Sequence, residues 1–200
     1  MPDEIKSALE IALEKAEKIG KASKEELEAF KLKEEAQRLV AKFLRNEISD
    51  FEERVKEFLK DKNPQQKKII YQGMVDVFLR NVVLPSYEYQ LEDIKKTLEG
   101  LRNLFKNIPE ISKICQQLEK LLKEYYTHKE AIYNELVKRF NTGVEALEKA
   151  LSDQLGTEVK VSVEEHPQFK EEWNKIKSKL DEEYGKQLEY FKNIFKKIVS

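Results

Sequence analysis

The chain has 200 residues, of which 40% are hydrophobic and 38% charged, with 37 Lys plus Arg against 38 Asp plus Glu and a single cysteine. That apolar content can bury the core of one ordinary domain or two small ones, and the balanced charge argues against a basic surface built to track nucleic acid. Cys115 alone excludes an intrachain disulfide, and no stretch approaches the roughly 20 apolar residues of a membrane span.

The opening Met-Pro-Asp-Glu-Ile-Lys lacks the charged-then-apolar layout of a signal peptide, so the cytoplasm is the expected compartment. Asp3 caps a predicted helix over about 3–19, with Ile5, Leu9, Leu13 and Ala16 at helical spacing and Gly20 where a left-handed C-terminal cap belongs. Ser23 and Glu26 form a capping-box pattern opening a helix over 24–61, with a break expected near 46–50. Asn63-Pro64 places a cap before a first-turn proline and starts the most apolar helix, over 64–84, which Pro85 ends. On its polar strip Asp76 and Arg80 stand four apart and are expected to pair. A helix over 87–107 follows, opened by Ser86. These connections are short, so residues 1–108 are expected to form an antiparallel bundle.

From residue 109 the pattern changes. Ile111, Ile114, Leu118, Leu121, Tyr125, His128 and Ile132 alternate steps of three and four, as a left-handed coiled coil requires. Steps of four then follow through Leu136, Phe140 and Val144, as in a stutter. A last helix over 167–199 carries Phe169, Trp173, Ile176, Leu180 and Tyr184. Helices over 110–153 and 167–199 therefore predict a long antiparallel hairpin occupying 109–200, with Asn141-Thr142-Gly143 as its weak point. Between them Val159, Val161 and Val163 alternate with Lys160, Ser162 and Glu164, which reads as a short strand over 158–164. A solitary strand leaves its backbone ladder unpaired. It is expected either to pair with its copy in a second subunit or to lie on the helices as an extended linker. The fold class is thus all-α: an N-terminal helical bundle plus a coiled-coil-like hairpin with one β-strand at its connection.

Lysine supplies 31 of the 37 cations and glutamate dominates the anions, the mixture of solvated helix faces laced with i,i+4 pairs. A heat-adapted source would produce the same enrichment. Neither histidine satisfies the Glu-x-x-His pattern of helical di-metal sites, because Tyr125 and Val163 stand three residues before His128 and His166. These two are the only weak metal candidates: His128 reads as a polar core residue fixing register, His166 as a helix-entry residue. Cys115 sits between Ile114 and Leu118 and reads as core. The six glycines form no phosphate cradle, and no nucleophile stands beside a base, so no catalytic residue and no cofactor is expected. Lys192, Lys196 and Lys197 interleave with Tyr190, Phe191 and Phe195, but they complement the dipole of a helix end better than they make a nucleic-acid patch. Tyr87 and Tyr89, after Pro85, either line a pocket where bundle meets hairpin or pack the helix start.

His166-Pro-Gln-Phe-Lys-Glu-Glu-Trp173, the opening Glu4–Glu17 stretch and the Arg80-Asn-Val-Val-Leu-Pro85 turn together resemble an uncharacterised bacterial all-helical family. That resemblance implies the fold and carries no activity, so it transfers no functional residue. A likeness to prefoldin-like chaperones, in which two long helices are joined through β structure, is architectural only.

The reading that results is a non-enzymatic helical scaffold or protein-interaction protein, a homodimer with room for an unidentified protein partner. It would self-associate through the long helices or the 158–164 strand, with Val159, Val161, Val163, Phe169 and Trp173 as interaction residues. A ligand- or metal-binding helical bundle is the alternative, and an enzyme of unrecognised type the third. Neither nucleic acid nor membrane is an expected partner.

Overall fold

The computed structural model describes residues 24–157, 160 and 162–200, with the side chains of Lys24, Glu145, Leu147 and Leu151 outside that description. The helix expected over 3–19 and the Ser23 cap lie outside the described residues. Six α-helices follow in order: α1 (Lys24–Leu44), α2 (Phe51–Leu59), α3 (Pro64–Asn81), α4 (Gln90–Leu104), α5 (Pro109–Leu155) and α6 (Pro167–Ile198). A short 3-10 turn, Val163–Glu165, precedes α6. The chain is all-α, and the described residues contain no strand.

Local chemistry explains the punctuation. Between α1 and α2 the chain turns at Asn46, which takes the left-handed conformation (φ 60°) that asparagine tolerates better than most residues. Asn63 caps α3: its side chain accepts from the Gln66 amide at 2.9 Å, Gln66 Oε1 accepts from the Asn63 amide at 3.0 Å, and Pro64 fills the first turn. Asp76 pairs at 2.7 Å with Lys33 across on α1, instead of with Arg80 along its own helix. At Asn141-Gly143 α5 runs through without a break. Gly156, at φ 67°, closes α5 in the left-handed cap where glycine avoids the Cβ penalty.

One apolar cluster joins all six helices. Phe43, Phe51 and Phe78 pack edge-on and tilted, with centroids 4.7 to 6.3 Å apart, and Phe78 is wholly buried. Burying a side chain of that size contributes about 1.5–3 kcal/mol. Ile111, Cys115, Leu118 and Leu122 of α5, with Leu188 and Phe195 of α6, belong to the same cluster, so the early turns of α5 and the late turns of α6 wall the core they share with the preceding helices. A second, smaller cluster lies at the far end of the α5–α6 pair, around Leu136, Val144, Val163 and Phe169.

Along α5 the buried positions are Ile111, Cys115, Leu118, the adjacent pair Leu121 and Leu122, and Tyr125, spaced by threes and fours. Beyond Tyr125 they are Lys129, Leu136 and Val144, with Tyr133 and Phe140 partly buried between them, so steps of four prevail. The heptad rhythm therefore holds only to Tyr125. Past it the apolar period exceeds the 3.6 residues of an α-helix, and the contact line drifts away from a left-handed supercoil. This drift takes His128 off the seam and puts Lys129 on it.

Candidate interaction surface

The loop from Val82 to Tyr89 connects α3 to α4 and differs most from what the sequence pattern suggested. Val82 leaves the helix in an extended conformation (φ −92°, ψ 98°), and Pro85 cannot re-enter one without losing a hydrogen bond. Helix α4 starts only at Gln90, later than the cap expected at Ser86. In place of a serine cap, the Gln90 side chain does the work: its Oε1 accepts from the Ser86 amide at 2.6 Å and the Tyr87 amide at 3.0 Å. These bonds fold the loop back over the first turn of α4.

From the other side the loop is held by a buried lysine. Lys129 of α5 is 5% exposed, and its ammonium donates to the Ser86 carbonyl at 2.6 Å and the Pro85 carbonyl at 3.3 Å. The Glu130 carboxylate lies 3.8 Å away and the Tyr126 ring centroid 5.0 Å away. Burial, with help from the Lys177 ammonium, pushes Lys129 below the ordinary lysine range, against the pull of Glu130 and Asp181. Just below, the Tyr125 hydroxyl donates to Asp181 at 2.6 Å and Lys177 pairs with the same carboxylate at 2.5 Å, tying α5 to α6. Burial and that carboxylate raise the Tyr125 hydroxyl well above its usual range.

Held in this way, the loop buries Val82 and Pro85 and turns its aromatics outward. Tyr87 is 62% and Tyr89 65% exposed, with their rings stacked 5.7 Å apart at an interplanar angle of 9°. Val83, 41% exposed, lies on the same loop. Of the seven large hydrophobic side chains exposed among the described residues, three fall in this loop. Most of the surface of both rings faces solvent.

Val163 and Phe169, expected as interaction residues, are buried in the far cluster, and Trp173 packs partly buried against it. The Tyr133 ring meets Trp173 at 4.9 Å and Phe169 at 5.7 Å, and its hydroxyl, pushed up to about 12 by a 2.6 Å bond to Glu164, closes the connection onto α5. Val159 and Val161 lie outside the described residues. The strand reading is corrected at its C-terminal end: Val163 and Glu164 form the 3-10 turn, because Val163 gains more by entering the cluster than by standing in an unpaired ladder.

His128 is corrected from a core position to an exposed one, its Nδ1 3.3 Å from the Tyr184 hydroxyl. His166 sits at the start of α6, its ring 5.9 Å from Phe140 and its buried Nδ1 without a hydrogen-bond partner. It borders a cleft of about 410 Å³ with Arg139, Gly143, Gln168 and Glu172, across which Arg139 and Glu172 pair. Among the described residues no three His, Cys, Asp or Glu side chains come together as a metal-binding group. Cys115 is fully buried, and burial pushes its thiol up to about 11. At the C-terminus Phe195 is buried and Phe191 packs against the core, whereas Tyr190 is exposed.

Residues 56–197 match a family model described as a family of unknown function (DUF6657). The chain belongs to DUF6657. Membership agrees with the resemblance to an uncharacterised helical family, and since the function of DUF6657 is unknown it brings no functional residue with it. The matched span takes in the 82–90 loop, Lys129 and both long helices. No curated protein matches the chain, and no solved structure does. Among the described residues no helix is long and apolar enough to cross a membrane.

Proposed function

We propose that this DUF6657 chain is a non-enzymatic helical scaffold whose 82–90 loop docks a segment of a partner protein. The observation that carries the reading is the stacked, exposed Tyr87–Tyr89 pair on a loop fixed from both sides by Gln90 and Lys129. Tyrosine offers large contact area with two rotatable angles, and it is enriched among residues that dominate binding energy. Holding the rings in place before a partner arrives avoids an ordering cost of about 0.5–1.5 kcal/mol for each side chain.

The test is a selection of displayed random 12-residue peptides on the immobilised full chain, repeated with the Tyr87→Ala/Tyr89→Ala variant. Peptides that lose affinity about thirtyfold or more in the variant support the reading, since that loss corresponds to about 2 kcal/mol. If every selected peptide binds both proteins equally, the loop is not the docking site.

A second reading, homodimerisation through the end of the hairpin, is favoured by Leu155, 63% exposed at the tip of α5. His166, just before α6, contacts Phe140, and α5 continues beyond Val144 for about 16 Å at 1.5 Å per residue. Light scattering that gives twice the chain mass, reverting to one mass in Leu155→Glu, supports this second reading; a monomer at all concentrations removes it.

A further inference from the structure

The docking reading leaves the chemistry of the partner open, and the charges around the tyrosines narrow it. Lys and Arg make up 37 of the 200 residues, yet residues 81–94 contain neither, the longest such stretch in the chain. The same stretch carries Glu88, Glu92 and Asp93. Glu88 stands between the two tyrosines, all three of these residues being exposed, and Glu92 and Asp93 occupy the first turn of α4. Among the described residues none of these three carboxylates holds a cation. Two further groups face the loop from α5: Glu130, whose charge is shared with Lys129, and Tyr126, whose hydroxyl is raised by burial and by the nearby Glu130 and Glu88 carboxylates.

First-turn acids on their own complement a helix dipole. Glu88 does not belong to the helix, however, and an unbroken acidic run beside exposed aromatic faces is unusual on a surface whose charges otherwise alternate in sign. A phosphate backbone or an anionic bilayer would be repelled here. A guanidinium or ammonium would be attracted twice, to the ring face and to the carboxylates beside it.

We infer that the loop takes a cationic segment of a partner protein, with an Arg or Lys head stacked on Tyr87 or Tyr89 and paired with Glu88. This rests on the docking reading above, and the same peptide selection separates the two. The expected outcome is that peptides dependent on Tyr87 and Tyr89 are enriched in Arg and Lys. Their affinity then falls about tenfold in Glu88→Gln, and falls again as NaCl is raised from about 50 to about 300 mM. Loop-dependent peptides that are neutral or acidic, and indifferent to Glu88→Gln, overturn the cationic assignment and leave docking standing. The absence of any loop-dependent peptide overturns both. A single-stranded RNA 12-mer whose binding is lost in Tyr87→Ala/Tyr89→Ala would also overturn it, by showing that the surface takes an anion. Because Glu88 is exposed and outside any helix, Glu88→Gln should keep the wild-type melting temperature, so lost binding cannot be ascribed to unfolding.

Discussion

Replacing glycine by alanine should have opposite signs at two places in this chain. In an exposed helix interior the exchange stabilises by about 1 kcal/mol, because alanine gives up less backbone freedom on folding. A methyl group at Gly143 or Gly185 meets nothing within 4 Å, so both positions should show that gain. At Gly100 of α4 the same methyl would lie 2.4 and 2.5 Å from two ring atoms of Phe78 and 2.9 Å from one of Phe43. Carbon atoms pack at roughly 3.5–4.0 Å, so the Phe78 ring would have to move by about 1 Å. It has nowhere to go, being fully buried against Phe43 and Phe51. Overpacking of this kind costs about 1–3 kcal/mol, and an overlap this deep belongs to the upper part of that range. After subtracting the helix gain, Gly100→Ala should lose about 1–2 kcal/mol. For a chain of this size that lowers Tm by about 3–6 °C, whereas Gly143→Ala and Gly185→Ala should each raise it by about 2–4 °C. Urea and thermal unfolding followed by far-ultraviolet circular dichroism measure all three. A rise in Gly100→Ala equal to that in Gly185→Ala would refute the packing of the phenylalanine triad.

Lys129→Met keeps the aliphatic stem and removes the donors. The net change in global stability should stay within about 2 kcal/mol, because relief of ammonium burial offsets the lost bonds. Amide exchange in residues 83–90 should nevertheless accelerate, and an unchanged rate would mean that the lysine does not hold the loop. Cys115, fully buried with its thiol held up at about 11, should resist a disulfide-exchange reagent at neutral pH and react only as urea unfolds the chain. Prompt labelling of the folded chain would contradict that. The Glu52 carboxyl is lowered to about 2 by hydrogen bonds from Lys106 and Lys56. Its folded value lies below its unfolded one, so its contribution is present above about pH 4.5 and is lost as pH falls toward 2. Glu52→Gln should flatten the urea midpoint across that window at low salt, and the difference should shrink at high salt because the group is exposed.

Much of the helical framework was legible because it rests on local chemistry. The Asn63-Pro64 cap and the turn around Asn46 each follow from backbone preferences of one or two residues, whereas α3 stops at Asn81, short of the 64–84 span expected from Pro85. The apolar stripe of α3 needs only a period. What periodicity could not reveal was the side of each helix that tertiary packing would choose. His128 and Lys129 are neighbours, and a heptad extended from Ile111 selects the histidine. The structure selects the lysine, because the contact line drifts after Tyr125 and two loop carbonyls wait there for a donor. A burial cost that normally keeps lysine at the surface is thereby offset by partners some forty residues away. The only sequence signal was a lysine four residues after Tyr125, on the same helix face.

Val163 taught the same lesson in reverse. Its alternation with Ser162 and Glu164 suited a strand, but no partner strand exists among the described residues, and a neighbouring apolar cluster was at hand. Tyr87 and Tyr89 were visible as residues and not as a surface. An exposed tyrosine and a buried one look alike in a pattern; their exposure follows from Gln90 and Lys129 fixing the backbone beneath them.

A docking role requires the 82–90 loop to be a preformed surface. Hydrogen exchange at the Ser86 and Tyr87 amides tests it most directly, since both residues are exposed while both amides are bonded to Gln90. A preformed loop gives exchange well below the unprotected-peptide rate in the free chain, rising toward it in Gln90→Ala. Exchange at the unprotected rate in the wild-type chain would contradict it.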